Sequence, residues 1–175
     1  MPPRRRWTAR WPRPEVLMSR QTGFTLIEML AALTLMALLL GASLPLSELS
    51  RRRAQEAELR HSLRQIRNAI DAYRQAVTDK KIEVSPDRSG YPPSLASLVD
   101  GVTDKSDPNG GKLYFLRRLP ADPMCEGCAG ADPAASWETR SYASSAEAFS
   151  SGGDVYDIRS KSLRKGINGV PYQQW

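Results

Sequence analysis

GFTLIEMLAALTLMALLLGASLPL, residues 23–46, decides what the rest of the chain can be. After Gly23 come 23 residues with a single ionisable side chain, Glu28. At about 1.5 Å per residue they form a helix about 35 Å long, enough for a hydrocarbon layer of about 30 Å. A cleaved secretory signal is the competing reading, but its apolar region runs about 7–15 residues and ends in a small-residue site. Here the small residue, Gly23, precedes the apolar run, so a cut after it leaves the hydrophobic helix on the product. Glu28 is the physical oddity, because an acid at the centre of a spanning helix costs about 2.5–3.5 kcal/mol and less near its end. It either snorkels to the headgroups or stays protonated, or it meets a cation. Cleavage before Phe24 creates such a cation, an α-amino group that a neighbouring copy's Glu28 can neutralise in a dry bundle.

The formal charge of +6 points to nucleic acid until it is located. Six arginines (Arg4, Arg5, Arg6, Arg10, Arg13 and Arg20) precede Phe24, opposed only by Glu15. Of the 25 basic and 19 acidic side chains, the rest of the chain keeps 19 and 18, a balance of +1. Nucleic-acid binding is therefore not expected of the mature chain, and the basic leader reads as a topology signal. Residues 1–17 are proline-rich and patternless, and initiation at Met18 gives the short leader MSRQTG, so residues 1–17 are expected to be a misannotated extension. The full leader outweighs the Arg51, Arg52 and Arg53 cluster and favours a cytoplasmic N-terminus. The short leader does not decide orientation by charge.

Gly23-Phe24-Thr25-Leu26-Ile27-Glu28 ahead of a long apolar run resembles the processing motif of type IV pilins and type II secretion pseudopilins. The resemblance implies that a prepilin peptidase cuts after Gly23 and methylates the amine of Phe24. It further implies that Glu28 neutralises the adjacent subunit's terminus and that residues 1–23 are the leader. Orientation follows: N-terminus in the bacterial cytoplasm, single pass through the inner membrane, remainder in the periplasm and then in a filament. Pro45 matches a proline position common in these helices. Independently of the resemblance, proline removes a helical hydrogen bond and Gly41 weakens the same stretch, so local melting or a kink is expected there.

Beyond the spanning segment (24–46), residues 47–79 continue the helix as an amphipathic half. Leu59, Leu63, Ile66, Ile70, Tyr73 and Val77 are spaced 4, 3, 4, 3, 4, one narrow helical stripe with no breaker before it. The stripe is expected to cover the core of a small domain rather than to form a coiled coil. His61 lies off the stripe with no ligand-type neighbour and is expected in solvent. Residues 80–175 make the globular head. Its first part is dense in Pro, Gly and Asp-Pro turns, with Ser94 placed to cap a short helix through Leu95, Leu98 and Val99. Residues 137–142 and 155–158 read as strands of a small antiparallel sheet, with a third near residues 113–116 or the C-terminus. The fold class is α+β and pilin-like: a long N-terminal helix packed on a small antiparallel sheet.

The head also resembles one branch of the family. Tyr91-Pro92, Leu95 and Leu98, then FLRRLPADP (115–123), then DVYDI (154–158) are similar to the major pseudopilin of type II secretion. That family usually binds calcium in an acidic loop after the tyrosine-containing strand, where this chain reads RSKSLRK (159–165). Calcium needs six to eight oxygen ligands, so no family-type calcium site, and no other cofactor, is expected. Burial of Val170, Tyr172 and Trp175, or contact with a neighbouring subunit, is expected to hold the C-terminal loop instead. Cys125-Glu126-Gly127-Cys128 has redox or zinc spacing, but no second ligand pair exists and prolines flank both sides. A small disulfide in an oxidising periplasm is the leading reading.

No P-loop, nucleophile and base pair or metal cluster is visible, so no enzyme is expected. The leading function is a structural pseudopilin that polymerises with itself and with minor pseudopilins. Its further expected partners are prepilin peptidase and an inner-membrane platform with a secretion ATPase. A type IV pilin or minor pilin for adhesion, motility or DNA uptake is the alternative, and a membrane-anchored CxxC redox protein a distant one.

Overall fold

The computed structural model describes residues 23–128 and 130–175, and of residues 42–46 the backbone alone. The leader up to Thr22, and with it the choice between Met1 and Met18, lies outside the described residues, as does the side chain of Pro45. Helix α1 spans Leu26–Thr78, 53 residues, and runs through Gly41 and Pro45 without a break. The expected melting at Pro45 is therefore not found: one missing hydrogen bond costs about 3 kcal/mol, and strong helix formers, chiefly Leu and Ala, surround it. The chain divides at this point into two compact units, residues 1–44 and 45–175.

In the first unit, every large apolar side chain described on α1 is exposed, from Met29 at 47% to Leu26 at 79%. Among the described residues no helix is long and apolar enough to cross a membrane. The described apolar side chains of α1 end at Gly41, and the sequence adds five uncharged residues to Leu46.

In the second unit the stripe faces inward. Leu59, Leu63, Ile66, Ile70 and Tyr73 are each at most 5% exposed, and Val77 packs at the edge. Ala69 and Ala76 fill the positions between them, where a larger side chain would hold the head away. His61 is exposed. The helix ends in a Schellman motif: Lys81 N–H donates to Ala76 O at 2.9 Å and Lys80 N–H to Val77 O at 3.0 Å. Lys80 takes the left-handed position at φ 60°, which costs a side-chain-bearing residue about 1–2 kcal/mol. The reversal brings Ile82 back into the core.

The head supplies Leu95, Leu98, Leu116, Trp137, Ile158 and Tyr172 against that stripe. Ser94 Oγ accepts from Ser97 N–H at 3.3 Å, and the short helix α2, Ser97–Asp100, buries Leu98 completely. Strands β1 (Val102–Thr103) and β2 (Lys112–Leu113) pair antiparallel, as do β3 (Trp137–Arg140) and β4 (Asp157–Ser160). The expected third strand therefore joins a separate two-stranded ladder, because the N–H groups of Phe115 and Leu116 donate to Leu98 O at 3.0 and 2.9 Å instead of extending it. The second strand begins two residues later than its sequence predicts. Val155 N–H is taken by Pro92 O at 2.8 Å, and Arg159, neutralised by Glu138, continues the ladder into the basic run.

The C-terminal loop is held from α1. Glu56, only 5% exposed, accepts from Tyr172 Oη at 2.9 Å and from Ile167 N–H at 2.7 Å. Tyr172 is fully buried and meets Trp175 edge to face, while Arg60 stacks on the Trp175 ring at 4.3 Å. Val170, expected inside, is 37% exposed: its N–H closes a turn on Asn168 Oδ1, which points the side chain outward. Tyr172→Phe removes one donor to a buried carboxylate while leaving Ile167, and is expected to lower stability by about 1–3 kcal/mol. Chemical denaturation of the detergent-solubilised full chain, followed by tryptophan fluorescence, measures it; no change means that Glu56 finds water there instead.

Candidate functional site

The residues with a reading in chemistry fall at three places. The first is the start of α1. Gly23, Phe24 and Thr25 precede the helix without regular structure, so the Gly23–Phe24 peptide is free of helical hydrogen bonding. Phe24 is 72% exposed. Thr25 caps the helix: its carbonyl accepts from Met29 N–H at 3.1 Å, and its Oγ1 accepts from Glu28 N–H at 3.3 Å. Thr25-x-x-Glu28 is the spacing of a capping box, which sets where the helix begins and places the carboxylate in its positively polarised first turn. Thr25 is a residue the sequence analysis missed, although Thr-x-x-Glu ahead of an apolar run signals it.

Glu28 is exposed and has no side-chain partner among the described residues. The other polar side chain on the described apolar half of α1, Thr34, is satisfied by its own helix through Ala31 O at 2.8 Å. An unmatched carboxylate on a helix that is apolar all round demands a cation or water once that helix is taken out of solvent. Gly23 and Phe24 thus lie just before α1 and Glu28 in its first turn, with Pro45 and the cysteines elsewhere in the chain.

The second place is the loop of Cys125 and Cys128, which form a disulfide with Cα atoms 5.6 Å apart. No helix begins at Cys125, unlike the first cysteine of a thioredoxin-like site. The loop borders a groove that includes Lys161, Leu163 and Arg164.

The third is the basic segment of residues 159–165, after Tyr156, where the resembling family has its calcium loop. Three of its four cations are engaged: Arg159 makes a bidentate contact with Glu138 at 2.8 and 3.0 Å, Lys161 Nζ donates to Ala135 O at 2.5 Å, and Arg164 reaches Glu126 at 3.3 Å. Among the described residues no group of three or more His, Cys, Asp or Glu side chains is placed to hold a metal. Next to it, Asp154 ties three loops, accepting from Ser89 Oγ, from Ser141 Oγ at 2.6 Å and from Tyr142 N–H at 3.0 Å. Burial pushes this carboxyl up, but the bonds from Ser141, Ser89 and Tyr142 outweigh it and hold the pKa below the ordinary 3.8. A depressed carboxylate stabilises the fold in full above its ordinary pKa, and the contribution is lost as pH falls through the folded value. Asp154→Asn is therefore expected to destabilise the chain by a constant amount at neutral pH and to converge on the wild type as pH falls through the depressed folded value, below the ordinary 3.8. Denaturation midpoints across that range test it; a constant gap at every pH excludes the ionised form as the cause.

Residues 18–44 match the family model described as the prokaryotic N-terminal methylation motif. No curated protein matches the chain, and no solved structure does.

Proposed function

From a pilin-like chain that carries this motif, and with it prepilin processing, an inner-membrane anchor and pilus-type assembly, we propose that the mature protein is a structural pseudopilin. It polymerises with copies of itself and with minor pseudopilins into a periplasmic filament for type II protein secretion. One observation carries this reading: the matched segment, residues 18–44, takes in the start of α1, where every large apolar side chain described is exposed and Glu28 is unmatched among the described residues.

In this reading the peptidase cuts Gly23–Phe24 in a stretch that α1 does not engage. The new amine on Phe24 becomes the cation for the Glu28 of an adjacent copy. The surrounding apolar helices exclude water, so the pair strengthens and fixes one stagger between subunits. An inner-membrane platform with its ATPase supplies the work, since extracting the helix from lipid is uphill for the chain alone. The choice of a secretion filament over a type IV or minor pilin rests on the head. There the quoted segments serve as packing nodes: Leu116 is buried, and Asp122 takes Ser160 Oγ at 2.6 Å and Met124 N–H at 2.8 Å. The disulfide and the engaged Arg159, Lys161 and Arg164 favour a structural role for that region over a redox or calcium-binding one.

Mass spectrometry of the membrane-extracted product is expected to show a chain that begins at methylated Phe24. Glu28→Leu is expected to be processed normally yet to lose filaments, and loss of exoprotein secretion separates a pseudopilin from a pilin. Any other N-terminus overturns the reading. For the head, melting of the full chain is expected to be the same in calcium and in chelator; a chelator-sensitive shift restores a calcium site.

A further inference from the structure

Arg51, Arg52 and Arg53 follow the apolar stretch by five residues, and the fold gives them different tasks. Successive helical residues are turned by about 100°, so three in a row fan over about 200° and cannot all face the head. Arg52 faces it, donating to Lys165 O at 2.5 Å and lying 3.9 Å from Glu56. Arg51 and Arg53 are exposed and make no ion pair among the described residues. Lys165, held beside them by the Arg52 contact, is likewise exposed and unpaired. Arg51, Arg52 and Arg164 line an open cleft of about 420 Å³ together with Glu48, whose charge acts on Arg52. Arg164 itself is shared with Glu126. The result is a collar with an excess of positive charge on the side of the head next in sequence to the apolar residues.

Distance fixes what the collar meets. From Leu46 to Arg51 the backbone covers about 7.5 Å as helix and less than about 18 Å even fully extended. A headgroup layer begins where the hydrocarbon ends and is about 5–7 Å deep, and arginine side chains reach several ångströms further. We propose that Arg51 and Arg53, with Lys165, bind the phosphates of anionic phospholipid headgroups in the leaflet where α1 leaves the membrane. The inference rests on the anchored reading above. The collar holds the head against the membrane before assembly, and those contacts must be given up when the subunit enters a filament.

Native mass spectrometry of the full, processed chain in micelles doped with phosphatidylglycerol or phosphatidylcholine tests it. The wild type is expected to retain phosphatidylglycerol in preference, with the preference fading as salt rises. Arg51→Gln and Arg53→Gln are each expected to lower it about five-fold and together about thirty-fold, while Arg→Lys at both sites keeps most of it. Arg117→Gln with Arg118→Gln, elsewhere on the head, is expected to leave it unchanged. An unchanged preference in the Arg51→Gln, Arg53→Gln double variant, with its melting intact, overturns the proposal. Loss of filaments in that variant without loss of lipid preference also overturns it, and assigns the collar to a second copy. A wild-type chain found outside the membrane fraction is a separate result, and sinks the anchored reading itself.

Discussion

Water cannot be the medium of the first turns of α1. Eleven large apolar side chains between Phe24 and Leu40 are exposed, and each is worth about 1.5–3 kcal/mol when removed from water. Even with partial exposure the sum is on the order of 15 kcal/mol, as large as the whole folding stability of an ordinary domain. The start of α1 is therefore driven out of water, toward lipid or other apolar surfaces. Out of water, Glu28 is costly unless it is matched by a cation or stays protonated.

The head solves a different problem. Its ladders are two-stranded and at most four residue pairs long, too small to stand by themselves. Stability comes from the α1 stripe beneath them and from side chains that stitch loops to elements. Glu56 fixes the C-terminal loop to α1. Asp122 joins the loop before the disulfide to β4, and Asp154 joins the loop before α2 to the end of β3. Arg67 completes the set, reaching Asp157, Ile158 O and Trp175 O with one guanidinium. Such bonds are individually modest, but in a partly buried setting leaving any one unmade costs more than making it gains.

Charge on this protein thus works at two scales. Within the head, the segment of residues 159–165 that looks unsuited to an ordered loop is held because Glu138, Ala135 O and Glu126 meet Arg159, Lys161 and Arg164. At the exit from the apolar stretch Arg51 and Arg53 are exposed and make no ion pair among the described residues.

Local spacing made much of this legible. The 4, 3, 4, 3, 4 stripe, the apolar run and the glycine, phenylalanine and glutamate ahead of it are properties of neighbouring residues, so the sequence alone determined the long helix, its two halves and the processing motif. Thr25 as a cap was equally local and was overlooked. The partners of polar groups were not local. Glu56 is read as one more charged helix residue until the fold brings Tyr172, 116 positions away, onto it. The shift of β4 depended on Pro92 taking the Val155 N–H, and the outward turn of Val170 on Asn168. Burial follows periodicity, which a single element carries, whereas the satisfaction of a buried polar group needs two elements in register, and only the tertiary structure supplies that.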